Sequence, residues 1–339
     1  MKHRTFILVI LAAFLMFGCE QEEIVSPQLT QSESVAFKEQ AEQPTVIATI
    51  PVSGNPLGVD VNPVTNRIYV GTSLANTIEV IDGASNTVIA TVPVGINPIS
   101  VAVNPITNRI YTANQGDNSV SVINGNNNMI IATITAGTAT HGIAVNPFTN
   151  RIYVGNRISN DVTVINGATN TVITTIALAG MAISSVAVNP LTNRVNVTHT
   201  DSDFLTVING KNNTFITTIP VGDGPTGVGV NPVTNRIYVS NGNSNDVTVI
   251  NGKNNTVITT VPVGLKPQDT AVNPLTNRVY VTNGISNDVT VINGKNNTVI
   301  ATVAVGIEPI FLEVNPVTSR IYVPNIGSNT VSVIEDDDD

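Results

Sequence analysis

The sequence predicts an all-β chain assembled from seven copies of one unit, and three observations carry that prediction. The segment Val61-Asn62-Pro63-Val64-Thr65-Asn66-Arg67-Ile68-Tyr69-Val70 returns with small edits, its Asn-Pro pair recurring at 104, 146, 189, 231, 273 and 315. The steps are 42, 42, 43, 42, 42 and 42 residues, and a period of that size marks a repeat architecture. Each unit also carries short runs rich in Val, Ile, Thr and Tyr, residues that fit a pleated, half-buried surface. Finally, nothing within 44–334 sustains the spacing of an amphipathic helix.

Each unit divides into four strands. In the second unit they are expected at 100–103, 109–113, 119–123 and either 87–92 or its successor 129–134. Asn-Gly pairs such as Asn124-Gly125 and Asn251-Gly252 read as hairpin turns requiring positive φ. In Asn-Pro-x-Thr-Asn-Arg the proline fixes φ, while the second Asn tolerates left-handed backbone. Four-stranded antiparallel units repeated radially make the blades of a propeller, here one with seven blades. The last unit stops at 331–334, one strand short, whereas residues 45–50 match 298–303. The N-terminal strand 45–50 is therefore expected to pair with the last blade and close the ring, leaving no open edge. Strands apolar on both faces, as in Val247, Val249 and Ile250, suit blades covered by a neighbour on each side. The six Tyr (69, 111, 153, 238, 280, 322) share one strand position and read as inter-blade packing. The seven repeat Arg (67, 109, 151, 194, 236, 278, 320) read as turn anchors.

Outside the repeats, Lys2 and Arg4 precede an apolar run at 6–17. That run is shorter than the ~20 residues a membrane helix needs, so it reads as a signal segment. Leu15-Met16-Phe17-Gly18-Cys19 resembles the lipobox of bacterial lipoproteins. The expected organisation is a lipoprotein signal peptide at 1–18, a lipidated Cys19 with a flexible tether to 43, the propeller at 44–334, and a solvated acidic tail at 335–339. Cys19 is the sole cysteine, which excludes an intramolecular disulfide and a thiolate metal cluster. Residues 44–334 hold 13 acidic and 12 basic side chains, so no basic stripe for phosphate is read from composition and no nucleic-acid partner is expected.

Tyr280-Val281-Thr282-Asn283, with variants at 111–114, 153–156, 238–241 and 322–325, resembles the YVTN family of β-propeller repeats. The Asn-Pro-x-Thr-Asn-Arg turn and the Ile-Asn-Gly segments fit it too. The resemblance spans about 45–334 and implies a secreted or surface-layer protein of bacteria or archaea. It implies little about a reaction.

Function in a repeat protein is sought where the repeat breaks. Two residues before each Asn-Pro stand Asp60, Ala102, Ala144, Ala187, Gly229, Ala271 and Glu313. Asp60 and Glu313 become neighbours on ring closure, as candidate channel carboxylates able to share a proton or hold a cation. The second break lies in blades three and four. There Thr140 and Ile183 replace the recurring Pro, one residue is inserted near Ala179-Gly180-Met181, and Asn196 replaces Tyr. His141, Arg157, His199 and Asp201 form a candidate binding face. Its imidazoles are expected to titrate near their ordinary pKa of about 6.5. Two His and a carboxylate can also ligate a metal or move protons, but no HxH or HExxH spacing sharpens this. No Gly-x-Ser-x-Gly elbow or phosphate loop is present, and no cofactor is expected. The expectation is a lipid-anchored, extracytoplasmic binding module meeting an envelope protein, polymer or small ligand at one face. The alternatives are an enzyme of lactonase, lyase or hydrolase type and a surface-layer or adhesive component.

Overall fold

The computed structural model describes residues 43–336; the signal, the lipidated Cys19, the tether up to residue 42 and 337–339 lie outside the described residues. Within them the chain forms seven four-stranded antiparallel sheets. In the first complete blade these are β2 (Pro56–Asn62), β3 (Arg67–Thr72), β4 (Thr77–Asp82) and β5 (Thr87–Pro93). The remaining blades repeat this order of inner to outer strand. The last blade takes its outer strand from the start of the chain. There β1 (Thr45–Pro51) pairs with β28 (Thr330–Glu335), Thr45 opposite Glu335 and Pro51 opposite Thr330. The ring is closed as the sequence predicts.

Antiparallel order puts the loops at two ends. One end, the turn face, gathers the Asn-Pro turns and the Asn-Gly turns. The other, the loop face, gathers the connections between the second and third strands and those between blades. At the turn face Asn62 Oδ1 accepts the Val64 N–H at 3.0 Å, and Asn66 takes a φ of 52°. The Asn-Gly turns use the same device, with positive φ at the fifth residue, Asn255 in one of them, rather than at glycine. Gly252 is needed for space instead: a Cβ there would lie 2.6 Å from Asn235 Oδ1.

The turn face also joins the blades. Asn62 Nδ2 donates to Asn108 Oδ1 of the next blade at 2.8 Å, and five equivalent bonds follow around the ring. Each repeat Arg reaches across a blade boundary, Arg194 to the Gly252 carbonyl at 2.7 Å and Arg320 to that of Gly83 at 2.9 Å. The exception is Arg278, which pairs with the Asp336 side chain, to which Tyr280 also donates. Asp336 is wholly buried, and Glu335 ends β28 and accepts from Arg320 at 3.1 Å. The first two residues of the expected solvated tail therefore belong to the last blade. All six repeat Tyr are fully buried between blades.

Candidate functional site

The inner strands converge on an axial channel with a cavity of about 250 Å³. Because side chains alternate along a strand, two positions per inner strand face it, two and four residues before each Asn-Pro. The first position holds Asp60 and Glu313 against Ala or Gly in the other blades, as read from the sequence. The second holds Gly58, Ser100, Gly142, Ser185 and Gly227, then Asp269 and Phe311. Small residues belong there because the neighbouring backbone is close: a Cβ on Gly227 would lie 2.5 Å from the Asp269 Cα. Phe311 is the bulky residue of that column and lies outside the regular strand, which in its blade is cut to Glu313–Asn315 where the others run seven residues.

Asp269 was missed by the sequence reading, which compared only one of these two positions. Its signal was a carboxylate in a column of Gly and Ser. With it, the channel acquires three carboxyls on the adjacent blades six, seven and one. Blades two to five line the channel with small or aliphatic side chains.

The acidic wall is electrostatically strained. The inward edge of each inner strand has N–H groups with no fifth strand to pair them, and the carboxyls use some of these. Asp60 accepts from Val61 N–H and, across the blade boundary, from Val103 N–H, both at 2.6 Å. Glu313 accepts from Val314 N–H at 2.9 Å. Enclosure by the converging strands still outweighs those bonds. Desolvation pushes Asp60 and Asp269 up to about 7 against the opposing pull of backbone N–H groups. Glu313 is raised well above the ordinary range, first by desolvation and then by the charges of Asp60 and Asp269. Among the described residues, no group of three or more His, Cys, Asp or Glu is placed to hold a metal ion.

The candidate binding face in blades three and four has a different character. Both histidines touch the start of the inner strand of blade four, but by different routes: His141 Nδ1 lies 2.7 Å from the Ser184 carbonyl, and the preceding Ile183 is the cross-strand partner of His199. His199, however, has no exposed surface. It replaces a structural Asn. In the third blade that Asn156 donates from Nδ2 to Thr163 Oγ1 at 2.9 Å, and His199 Nε2 lies at the same 2.9 Å from Thr206 Oγ1. Gly180 covers the ring as a repeat glycine covers the Asn elsewhere: a Cβ on Gly180 would overlap His199, and one on Gly137 would lie 2.6 Å from the Asn156 side chain. Phe204 packs on the ring with centroids 4.9 Å apart.

The titration expected near 6.5 is also displaced. Burial lowers His199 to about 4. Burial and then the Arg157 charge lower His141 to about 4, against the pull of the Ser184 carbonyl. Arg157 is half-buried and Asp201 exposed. Around them the loop face is acidic: Asp117, Asp201, Asp203, Asp223 and Glu308 are exposed, and its basic side chains among the described residues are Arg157 and Lys266.

These features define a seven-bladed β-propeller with a closed ring, an acidic loop face and a one-sided acidic channel. In fold the chain is similar to hydrazine synthase of Kuenenia stuttgartiensis. The TM-score is 0.74 at 18% identity, over 83% of this chain and 95% of that one. That likeness is one of fold. No family model matches the chain, and no match is found among curated proteins.

Proposed function

We propose that the protein is a binding module of the cell envelope whose ligand site is the acidic wall of the axial channel. Its ligand is a small cation rich in hydrogen-bond donors. The resemblance of the repeats to the YVTN family and the lipobox-like Leu15–Cys19 segment support an extracytoplasmic, lipid-anchored location. The observation that carries the ligand reading is the one-sided break in sevenfold symmetry: Asp60, Asp269 and Glu313 occupy three adjacent blades. Four blades build the same wall from small or aliphatic residues, so ring closure does not call for carboxyls there. All three carboxyls are raised by desolvation and so resist charging on their own, and an entering ammonium group relieves that resistance.

The test is calorimetric titration of the full chain with a linear aliphatic triamine at pH 8, beside Glu313→Gln. A charged hydrogen bond contributes about 1.5–3 kcal/mol, so the substitution should weaken single-site binding about tenfold or more. Failure of the triamine to bind, or equal affinity for both proteins, contradicts the reading. One observation favours a second reading as an enzyme of hydrolase, lactonase or lyase type: Asp60 and Asp269 stand near 7, where a general acid or base works best. Hydrolysis of simple lactones or esters that disappears in Asp269→Asn would favour it; no turnover in the wild type would remove it.

A further inference from the structure

We propose that the turn face is a membrane-docking surface that lies flat on an anionic lipid bilayer. This extends the envelope location proposed above, but it requires neither lipidation of Cys19 nor a ligand in the channel.

Charge is the first observation. The near-balance of acid and base in 44–334 conceals a separation along the propeller axis. The acidic side chains of the loops lie mostly on the loop face, while the seven repeat Arg and the exposed Lys211, Lys253 and Lys295 lie on the turn face. The acidic groups of the turn face among the described residues are engaged locally. Asp82 accepts from Ala84 and Ser85 N–H at 2.9 Å, Glu335 meets Arg320, and Asp336 meets Arg278. Among the described residues the turn face is therefore basic.

Apolar tips are the second observation. The residue after each Asn-Pro is free of any role in the turn beyond its backbone N–H, which Asn accepts. A side chain at a free loop tip is ordinarily polar. Here Ile106, Phe148, Leu191, Val233, Leu275 and Val317 occupy it, between 42% and 55% exposed. They form a ring of apolar points on one face of a disc, suited to shallow insertion among lipid headgroups. The loop face exposes apolar side chains too, Leu74 and Ile285 among them, but amid carboxylates that an anionic surface repels. Charge therefore selects between the two faces.

The third observation is where the chain enters. Thr45 pairs with Glu335 at the turn-face end of the last blade, so residues 1–42, with the apolar run at 6–17, join the propeller from that side. An anchor upstream and a docking face on the same side place the loop face and its acidic surroundings toward the aqueous phase. A lipid surface also suits these tips better than a nucleic acid, which would call for stacking aromatics.

The experiment uses the full chain with Cys19→Ser, carrying a fluorophore on a cysteine introduced by Leu191→Cys on the turn face or Ile285→Cys on the loop face. Vesicles of phosphatidylcholine, with and without phosphatidylglycerol, contain a spin-labelled quenching lipid. The expected result is quenching at position 191 in the anionic vesicles, little at 285, and release by salt. Each Lys near an anionic surface strengthens attraction to it. The triple variant Lys211→Glu, Lys253→Glu, Lys295→Glu should therefore lower partitioning at least tenfold. Equal quenching at both positions, no association with anionic vesicles, or partitioning untouched by the triple variant overturns the proposal. Triamine titration of the same proteins is read separately, so loss of docking and loss of the channel reading are distinguishable.

Discussion

The two ends of the same strands follow different rules. At the turn face the repeat is kept in almost every blade: Asn bonds Asn across the boundary and Arg reaches the next glycine carbonyl. At the loop face and along the channel it is broken in several blades, by Asp60, Asp269, Phe311 and Glu313 and by His199 in place of the repeat Asn. The difference separates two tasks. Ring cohesion is repetitive and needs the same contact at every boundary, whereas recognition needs an address and so departs from the symmetry. The turn face departs from the repeat at one boundary, between blades six and seven: Ser319 stands where other blades have Asn, Asn273 Nδ2 has no partner among the described residues, and Arg278 meets Asp336 in place of a glycine carbonyl.

The largest effect expected is on closure. A chain beginning at residue 52 lacks β1 and leaves β28 as an exposed edge. It should lose cooperative folding or melt far below a chain beginning at residue 43, as read by calorimetry or circular dichroism. Equal melting temperatures would mean that the terminal strand does not hold the ring.

Next in size is a single boundary. Asn231 is fully buried, donates to Asn277 at 2.7 Å and accepts from Val233 and Thr234 N–H. Asn231→Ala strands those groups and should cost about 2–3 kcal/mol of unfolding free energy, measured by denaturant titration. A cost near zero would break the claim that the turn end carries cohesion.

The channel should respond to pH with a particular sign. The Asp269 carboxyl rises in the folded state from 3.8 to about 7. Its contribution to stability is therefore fully present below the unfolded value and is lost as pH rises through about 7. Asp269→Asn should flatten the fall in melting temperature between pH 4 and pH 8 and raise stability at the alkaline end of that range. A variant that melts below the wild type at pH 8 would show that the carboxylate is needed for packing.

The smallest effect is expected at His199. Asn rebuilds the bond to Thr206 beneath the same glycine that covers Asn in other blades, but it gives up the contact of the larger ring with Phe204, so His199→Asn should destabilise by no more than about 1–2 kcal/mol. Triamine binding should be unchanged. A large loss of binding would return the blade-four departures to the recognition site.

Much of this molecule was readable beforehand, for physical reasons that also explain what was missed. A period of two within each strand and of 42 between units exposes the strands, the blades and, through the unmatched 45–50 segment, the closure. Asp60 and Glu313 were visible because small residues fill the rest of their column. Asp269 lay one alternation away on the same channel-facing side. Asp336 read as tail because a side chain, in place of a glycine carbonyl, answers Arg278. His199 read as a surface ligand because a position at a strand end says nothing of the glycine packed above it. The charge separation was hidden in a balanced count, since only the up-and-down path of the strands sends basic turns one way and acidic loops the other.

The central claim, that the acidic wall of the channel is poised for a cation, is tested most directly by carboxyl-carbon NMR titration of Asp60 and Asp269, alone and with the triamine. The account predicts that both titrate near 7 in the free protein and that the triamine moves both downward, because a bound ammonium favours the ionised form. Titration of both near the ordinary 3.8, or midpoints that the triamine leaves in place, would contradict it.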